Sequence, residues 1–83
     1  MEKVEIKAPM WDGELRKRCV GIADFRIKGD LEVHITYTRK DGTRTYPNPF
    51  RISYVKARSY PIKKWKGISL YIIPIEDMEE IIS

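Results

Sequence analysis

Two side chains sit where acid–base chemistry could be done. In Asp30-Leu31-Glu32-Val33-His34, period-two alternation puts the Glu32 carboxylate and the His34 imidazole on the same polar face of one strand. That pair could move a proton, or share a metal with Asp24 from a neighbouring strand. A solvated sheet face carrying a Glu–His contact explains the same spacing and is the preferred reading. His34 is the only histidine and Cys19 the only cysteine, so one chain cannot assemble a histidine-based metal site, a His-containing catalytic pair with a second histidine, or a multi-cysteine zinc site.

The second chemical feature is charge. Between Arg39 and Lys66, twenty-eight residues hold nine of the sixteen Lys and Arg residues and a single carboxylate, Asp41, for a local charge of +8. The other fifty-five residues hold seven cations and eleven carboxylates, or −4, so the overall +4 conceals a polarised chain. Five of the nine aromatics fall in the same tract: Tyr46, Phe50, Tyr54, Tyr60 and Trp65. Cations interleaved with flat π-faces suit a polyanion with stackable bases. Arg39, Lys40, Arg44, Arg51, Lys56, Arg58, Lys63, Lys64 and Lys66 are the expected phosphate contacts, with Tyr54, Tyr60 or Trp65 as stacking faces. In Lys63-Lys64-Trp65-Lys66 an exposed ring would stack on a base or enter a membrane surface; a buried one would close a core edge and leave the lysines as solubilising charge. Asn48-Pro49-Phe50 matches a tripeptide bound by endocytic adaptor domains, but reads here as a proline-defined turn.

Much is excluded. No glycine-rich phosphate loop, nucleophile elbow or His/Cys metal spacing is present, so no cofactor or metal is expected. The apolar neighbours Val20 and Ile22 predict a buried, inert Cys19, with no disulfide-linked partner. The charged start Glu2-Lys3-Val4-Glu5 is no signal peptide, and the longest apolar run, Leu70 to Ile73, is far below the ~20 residues of a membrane span. A cytoplasmic, membrane-free protein is the expectation. The absence of Gln, a single Asn48, twelve Ile and 34% charged residues fit a thermophile composition.

The elements that must position these groups can be read in outline. Residues 1–83 form one domain without repeat or linker. Val4, Ile6 and Ala8 alternate with charges as a first strand ending at Pro9, and Met10 to Gly13 is expected to turn around Trp11. Leu31 to Thr38 is the clearest strand, with Leu31, Val33, Ile35 and Tyr37 on one face. Cys19 to Ile27 reads as a preceding strand with Ala23, Phe25 and Ile27 on its apolar face. A three-residue Lys28-to-Asp30 loop would set Phe25 opposite Val33 and bring the two apolar faces together. A second three-residue loop over Lys40-Asp41-Gly42 would avoid a repulsive Arg39–Arg44 pair.

Pro47-Asn48-Pro49 breaks the meander. Phe50, Ile52 and Tyr54 alternate like a strand, yet Ser53 can cap a short helix from Tyr54 to Ser59 ended by Pro61, and the helix is preferred. Lys63 to Gly67 reads as a loop. Ile68 to Ile73, apolar on both faces, reads as a central strand. Ile75, Met78 and Ile82 at helical spacing, after Glu76 and Asp77, predict a short C-terminal helix.

The expected fold is α+β and mainly β: a curved antiparallel sheet of about five strands, barrel-like in outline, with one short C-terminal helix. The expected function is a non-enzymatic nucleic-acid-binding module, DNA or RNA, working through residues 39–66. The alternative is a protein-interaction or accessory subunit, for instance a viral or plasmid-borne one, docking on an acidic partner. A small hydrolase using Glu32 and His34 is third.

Overall fold

The computed structural model describes residues 2–7 and 9–82 and is mainly β. Among the described residues, nine strands run in chain order: β1 (Glu2–Ile6), β2 (Met10–Asp12), β3 (Lys17–Ala23), β4 (Leu31–Arg39), β5 (Gly42–Thr45), β6 (Phe50–Ile52), β7 (Ile62–Trp65), β8 (Ile68–Pro74) and β9 (Glu79–Glu80). One α-helical turn, α1 (Tyr54–Ala57), and two 3-10 turns at Asp24–Arg26 and Ile75–Asp77 complete it. The strands form two curled sheets. One runs β1-β4-β6-β9 with β5 added to β4; the other runs β2-β3-β8-β7. Every pair is antiparallel except β1 with β4.

β4 shows why the sheets close on each other. Its alternation holds throughout the core: Leu31, Val33 and Ile35 are buried, while Glu32, His34 and Thr36 are half-buried on the opposite face. The buried set meets Val4 from β1, Phe50 and Ile52 from β6, Val20 and Ile22 from β3, and Ile73 from β8 in one apolar cluster. Each such aliphatic side chain contributes about 1.5–3 kcal/mol when removed from water. β8 is central as its two apolar faces imply, hydrogen-bonded to β3 on one side and β7 on the other.

The pairing expected between the Cys19–Ile27 strand and β4 does not form. One edge of β4 is taken by β1 and the other by β5 and β6, so β3 pairs instead with β2 and β8. β3 ends at Ala23, and the 3-10 turn Asp24–Arg26, closed by the Ile27 N–H donating to the Asp24 carbonyl at 3.0 Å, carries the chain to the other sheet. Three residues per turn break the two-residue parity that strand reasoning assumes. Ile27 is therefore buried while Phe25 points outward, 66% exposed.

Other departures are local. The first strand stops at Ile6; Ala8 lies outside the described residues, and Met10–Asp12 is a strand rather than part of a turn. The β4–β5 hairpin uses a two-residue Lys40-Asp41 loop that sets Arg39 opposite Gly42 and Arg44 opposite Tyr37, which also avoids the Arg–Arg pair. Gly42 has φ of +129°, open to glycine at little cost. Lys63 and its neighbours lie in β7 rather than a loop. Lys66 and Gly67, with φ of 49° and 80°, make the two-residue turn whose backbone twist matches a β hairpin. The C-terminal helix shrinks to the 3-10 turn Ile75–Asp77: Ile75 and Met78 are buried, but Glu79 and Glu80 pair with β6 and Ile82 is exposed. The Ser53 cap forms, its hydroxyl accepting from the Lys56 N–H at 3.2 Å.

These placements fix what truncation should do. Leu31→Ala or Ile35→Ala should cost about 2–5 kcal/mol in chemical denaturation, and Phe25→Ala less than about 0.5. A Phe25→Ala loss as large as that of Leu31→Ala would return Phe25 to the core.

Candidate nucleic-acid interface

The β4–β5 hairpin overshoots the core. Beyond Ile35, β4 carries Tyr37, Thr38 and Arg39 outward, and the loop adds Lys40. There they meet Arg18 from β3 and Lys7 and Pro9 from the link between the first two strands. The seven residues line one open cleft of about 660 Å³. Four of them are cations and none is a carboxylate. None of the ion pairs among the described residues involves Lys7, Arg18, Arg39 or Lys40. The Arg39 guanidinium lies over the Tyr37 ring, 5.3 Å from its centroid. Tyr37 stands edge-on to Tyr46, and Tyr46 edge-on to Phe50, so the ring at the cleft is braced by the core.

Arg18 also borders a second depression, shared with Trp11, Arg16, Tyr46 and Phe50. Register places Trp11 directly opposite Arg18 across β2 and β3, and its ring is 65% exposed. The far wall is acidic: Glu76 and Glu80 line it, and Lys17 is paired to Glu76 at 2.7 Å.

Of the residues expected from the basic tract, Arg39 and Lys40 stand in the cleft, and Arg44 is their neighbour opposite Tyr37, paired to Asp41 at 2.5 Å. The others are dispersed. Arg51 lies 3.6 Å from Asp30, between Glu32 and Glu79 in strand register. Arg58 donates to the Ile27 carbonyl at 2.6 Å and lies 3.6 Å from Asp24. Lys56 donates to the Asp77 carbonyl at 2.6 Å. Tyr60 is half-buried and donates to the Asp77 carboxylate at 3.0 Å; burial first, and that carboxylate second, push its hydroxyl up to about 12. Lys64, Trp65 and Lys66 are exposed at the β7–β8 hairpin, with the Lys66 ammonium 4.7 Å from the Trp65 ring centroid. Tyr54 is exposed on α1, beneath the Arg58 guanidinium.

Lys63 has a structural partner. Its ammonium lies 2.5 Å from the Asp12 carboxylate, which is buried and also accepts from the Leu15 N–H at 2.9 Å. The Lys63 hydrogen bond, then the Leu15 N–H, hold Asp12 below its ordinary value, and the same contact raises Lys63. The tie joins β2 and β7, the two edges of their sheet.

Glu32 and His34 do touch, Oε2 to Nε2 at 2.7 Å, with Lys3 at 3.9 Å. The hydrogen bond from His34 is the main cause of a lowered Glu32 value. Asp24 does not join them, being paired with Arg58. Cys19 is fully buried and its thiol is pushed up by burial, as an inert thiol requires. No described helix is long and apolar enough to cross a membrane.

Lys7, Trp11, Arg16, Arg18 and Tyr37 were not expected at this surface. A sequence signal existed in the three consecutive cations Arg16-Lys17-Arg18 near Trp11, but they lie outside the densest tract. No protein-family model, curated protein or solved structure matches the chain, so its chemistry has to be read from its own residues.

The Asp12–Lys63 tie makes a pH prediction. Asp12 has a lowered value in the folded state, so its contribution is present above the ordinary 3.8 and is lost as pH falls through the lowered value. Lys63→Met, which keeps most of the stem, should lower the melting temperature at pH 7, with the deficit shrinking as pH drops below 3.8. A deficit that is independent of pH would mean that packing, not the ion pair, is lost.

Proposed function

We propose that this protein is a non-enzymatic nucleic-acid-binding module whose primary contact is the cleft formed by Lys7, Arg18, Arg39 and Lys40. The observation that carries the reading is the convergence of four cations from three chain segments on one concave surface without a lining carboxylate. Like charges gathered this way repel one another and are relieved by an anion with repeated negative groups. Two aromatic faces, Tyr37 in the cleft and Trp11 beside it, favour a polyanion that carries bases over a simple acidic surface. A reducing, intracellular setting suits a chain whose one cysteine is buried and unpaired.

Binding should weaken with salt. Four phosphate contacts give a log–log slope of about −3 to −4, at roughly −0.7 to −0.9 per contact. Arg18→Ala and Arg39→Ala should each flatten it by nearly one unit. Arg51→Ala and Arg58→Ala, whose partners are internal, should leave the slope unchanged. Binding panels over DNA and RNA at several salt concentrations measure this. Salt-indifferent binding, or no binding at low salt, would turn the cleft over to an acidic protein partner.

A further inference from the structure

We infer that the ligand is single-stranded and that its bases stack on a second platform, formed by Phe25 and Trp65, next to the cationic cleft; this rests on the nucleic-acid reading above. An open groove of about 740 Å³ is lined by Ile6, Met10, Phe25, Trp65, Ile68 and Leu70, among others. It shares Lys7 and Pro9 with the cleft, and the cleft shares Arg18 with the Trp11 depression. The three depressions are therefore linked by shared walls: Trp11 at one end, four cations in the middle, Phe25 and Trp65 at the other.

The two rings of the platform are held outward by backbone geometry. Phe25 sits at the centre of the 3-10 turn, and Trp65 precedes the Lys66-Gly67 turn, directly opposite Ile68. They are 66% and 58% exposed. Apolar rings concentrated on one surface mark a binding site more often than chance. At the floor Gly21 lets the Leu70 side chain pack down onto β3, where an added Cβ would come within 3.1 Å of it.

Charge identifies the occupant. Each ring has its own cation: the Arg26 guanidinium 5.9 Å from the Phe25 centroid and the Lys66 ammonium 4.7 Å from that of Trp65. Each cation lies over one face of its ring, so a base would take the opposite face with its phosphate within reach of the cation. An apolar peptide would use the rings and leave the cations unmatched. Glu5 is the one carboxylate among the groove's lining residues. Duplexes keep their bases stacked on each other and offer phosphates alone, whereas a single strand can splay bases onto protein aromatics. With a longest dimension of 34 Å, the molecule suits the short end of the roughly 4–16 nucleotides that compact single-strand domains cover.

The test is fluorescence anisotropy with labelled oligo(dT), oligo(U) and a 20-base-pair duplex, using wild type, Phe25→Ala, Trp65→Ala and Arg39→Ala, with melting temperatures measured in parallel. Phe25→Ala and Trp65→Ala should each lose about 5- to 150-fold in affinity for the single strands, with melting temperature, salt slope and duplex affinity nearly unchanged. Equal losses on single strands and duplex, no loss on either, or a loss explained by a lowered melting temperature would overturn the inference. If the ring variants bind like wild type while Arg39→Ala still flattens the salt slope, the platform falls and the cleft stands. If no nucleic acid binds, both fall.

Discussion

The fold depends on the strict alternation of β4. Leu31, Val33 and Ile35 supply the floor of the core, and both edges of the strand are hydrogen-bonded, to β1 on one side and to β5 and β6 on the other. Because a side-chain period of two allows one buried face and one wet face, the polar set Glu32, His34 and Thr36 must face away from the core. The same strand then runs past the core and carries Tyr37 and Arg39 into the cleft. Core and candidate site are thus two ends of one element, which fixes the ring and the guanidinium by backbone pairing rather than by a free loop.

A second constraint is charge pairing across long sequence separations. In the linear chain the tract from Arg39 to Lys66 has one carboxylate. In the folded chain Arg51 meets Asp30, Arg58 meets Asp24, Lys63 meets Asp12 and Tyr60 meets Asp77. The half-exposed pairs among them, Arg51–Asp30 and Arg58–Asp24, contribute roughly 0–1 kcal/mol each. Their larger effect is on the field: they remove several cations from the surface available to a ligand. Among the described residues, the cations without an ion-pair partner are a smaller group, drawn partly from the acidic-rich remainder of the sequence.

The metal-sharing arrangement of Glu32, His34 and Asp24 is undone in the same way. Glu32 and His34 make the contact their spacing predicts, while Asp24, which would have shared a metal with them, is held by Arg58. A Glu–His pair with Lys3 nearby is accounted for as mutual charge satisfaction on a half-wet sheet face.

By itself the sequence determined those features set by local periodicity and local stereochemistry. The alternation of Leu31 to Thr38 specified β4, the double-sided apolar run of Ile68 to Ile73 specified a central strand, and Ser53 with Pro61 specified a capped helical turn. Burial of Cys19 followed from its apolar neighbours. Tertiary structure decided which edges pair. β3 was a legible strand, but its partner could not be read, because parity arguments compare two strands and do not count how many edges a third has already occupied. The turn at Asp24–Arg26 broke that parity and put Phe25 outside. The candidate site was legible only at Arg39, Lys40 and, through its exposed ring, Trp65. Lys7, Trp11 and Arg18 join them because two hairpins and a link between strands converge in space, and Arg51, Arg58 and Lys63 leave because distant carboxylates reach them first. Electrostatics acts through distance, and distance between residues far apart in sequence is fixed only when the sheets close.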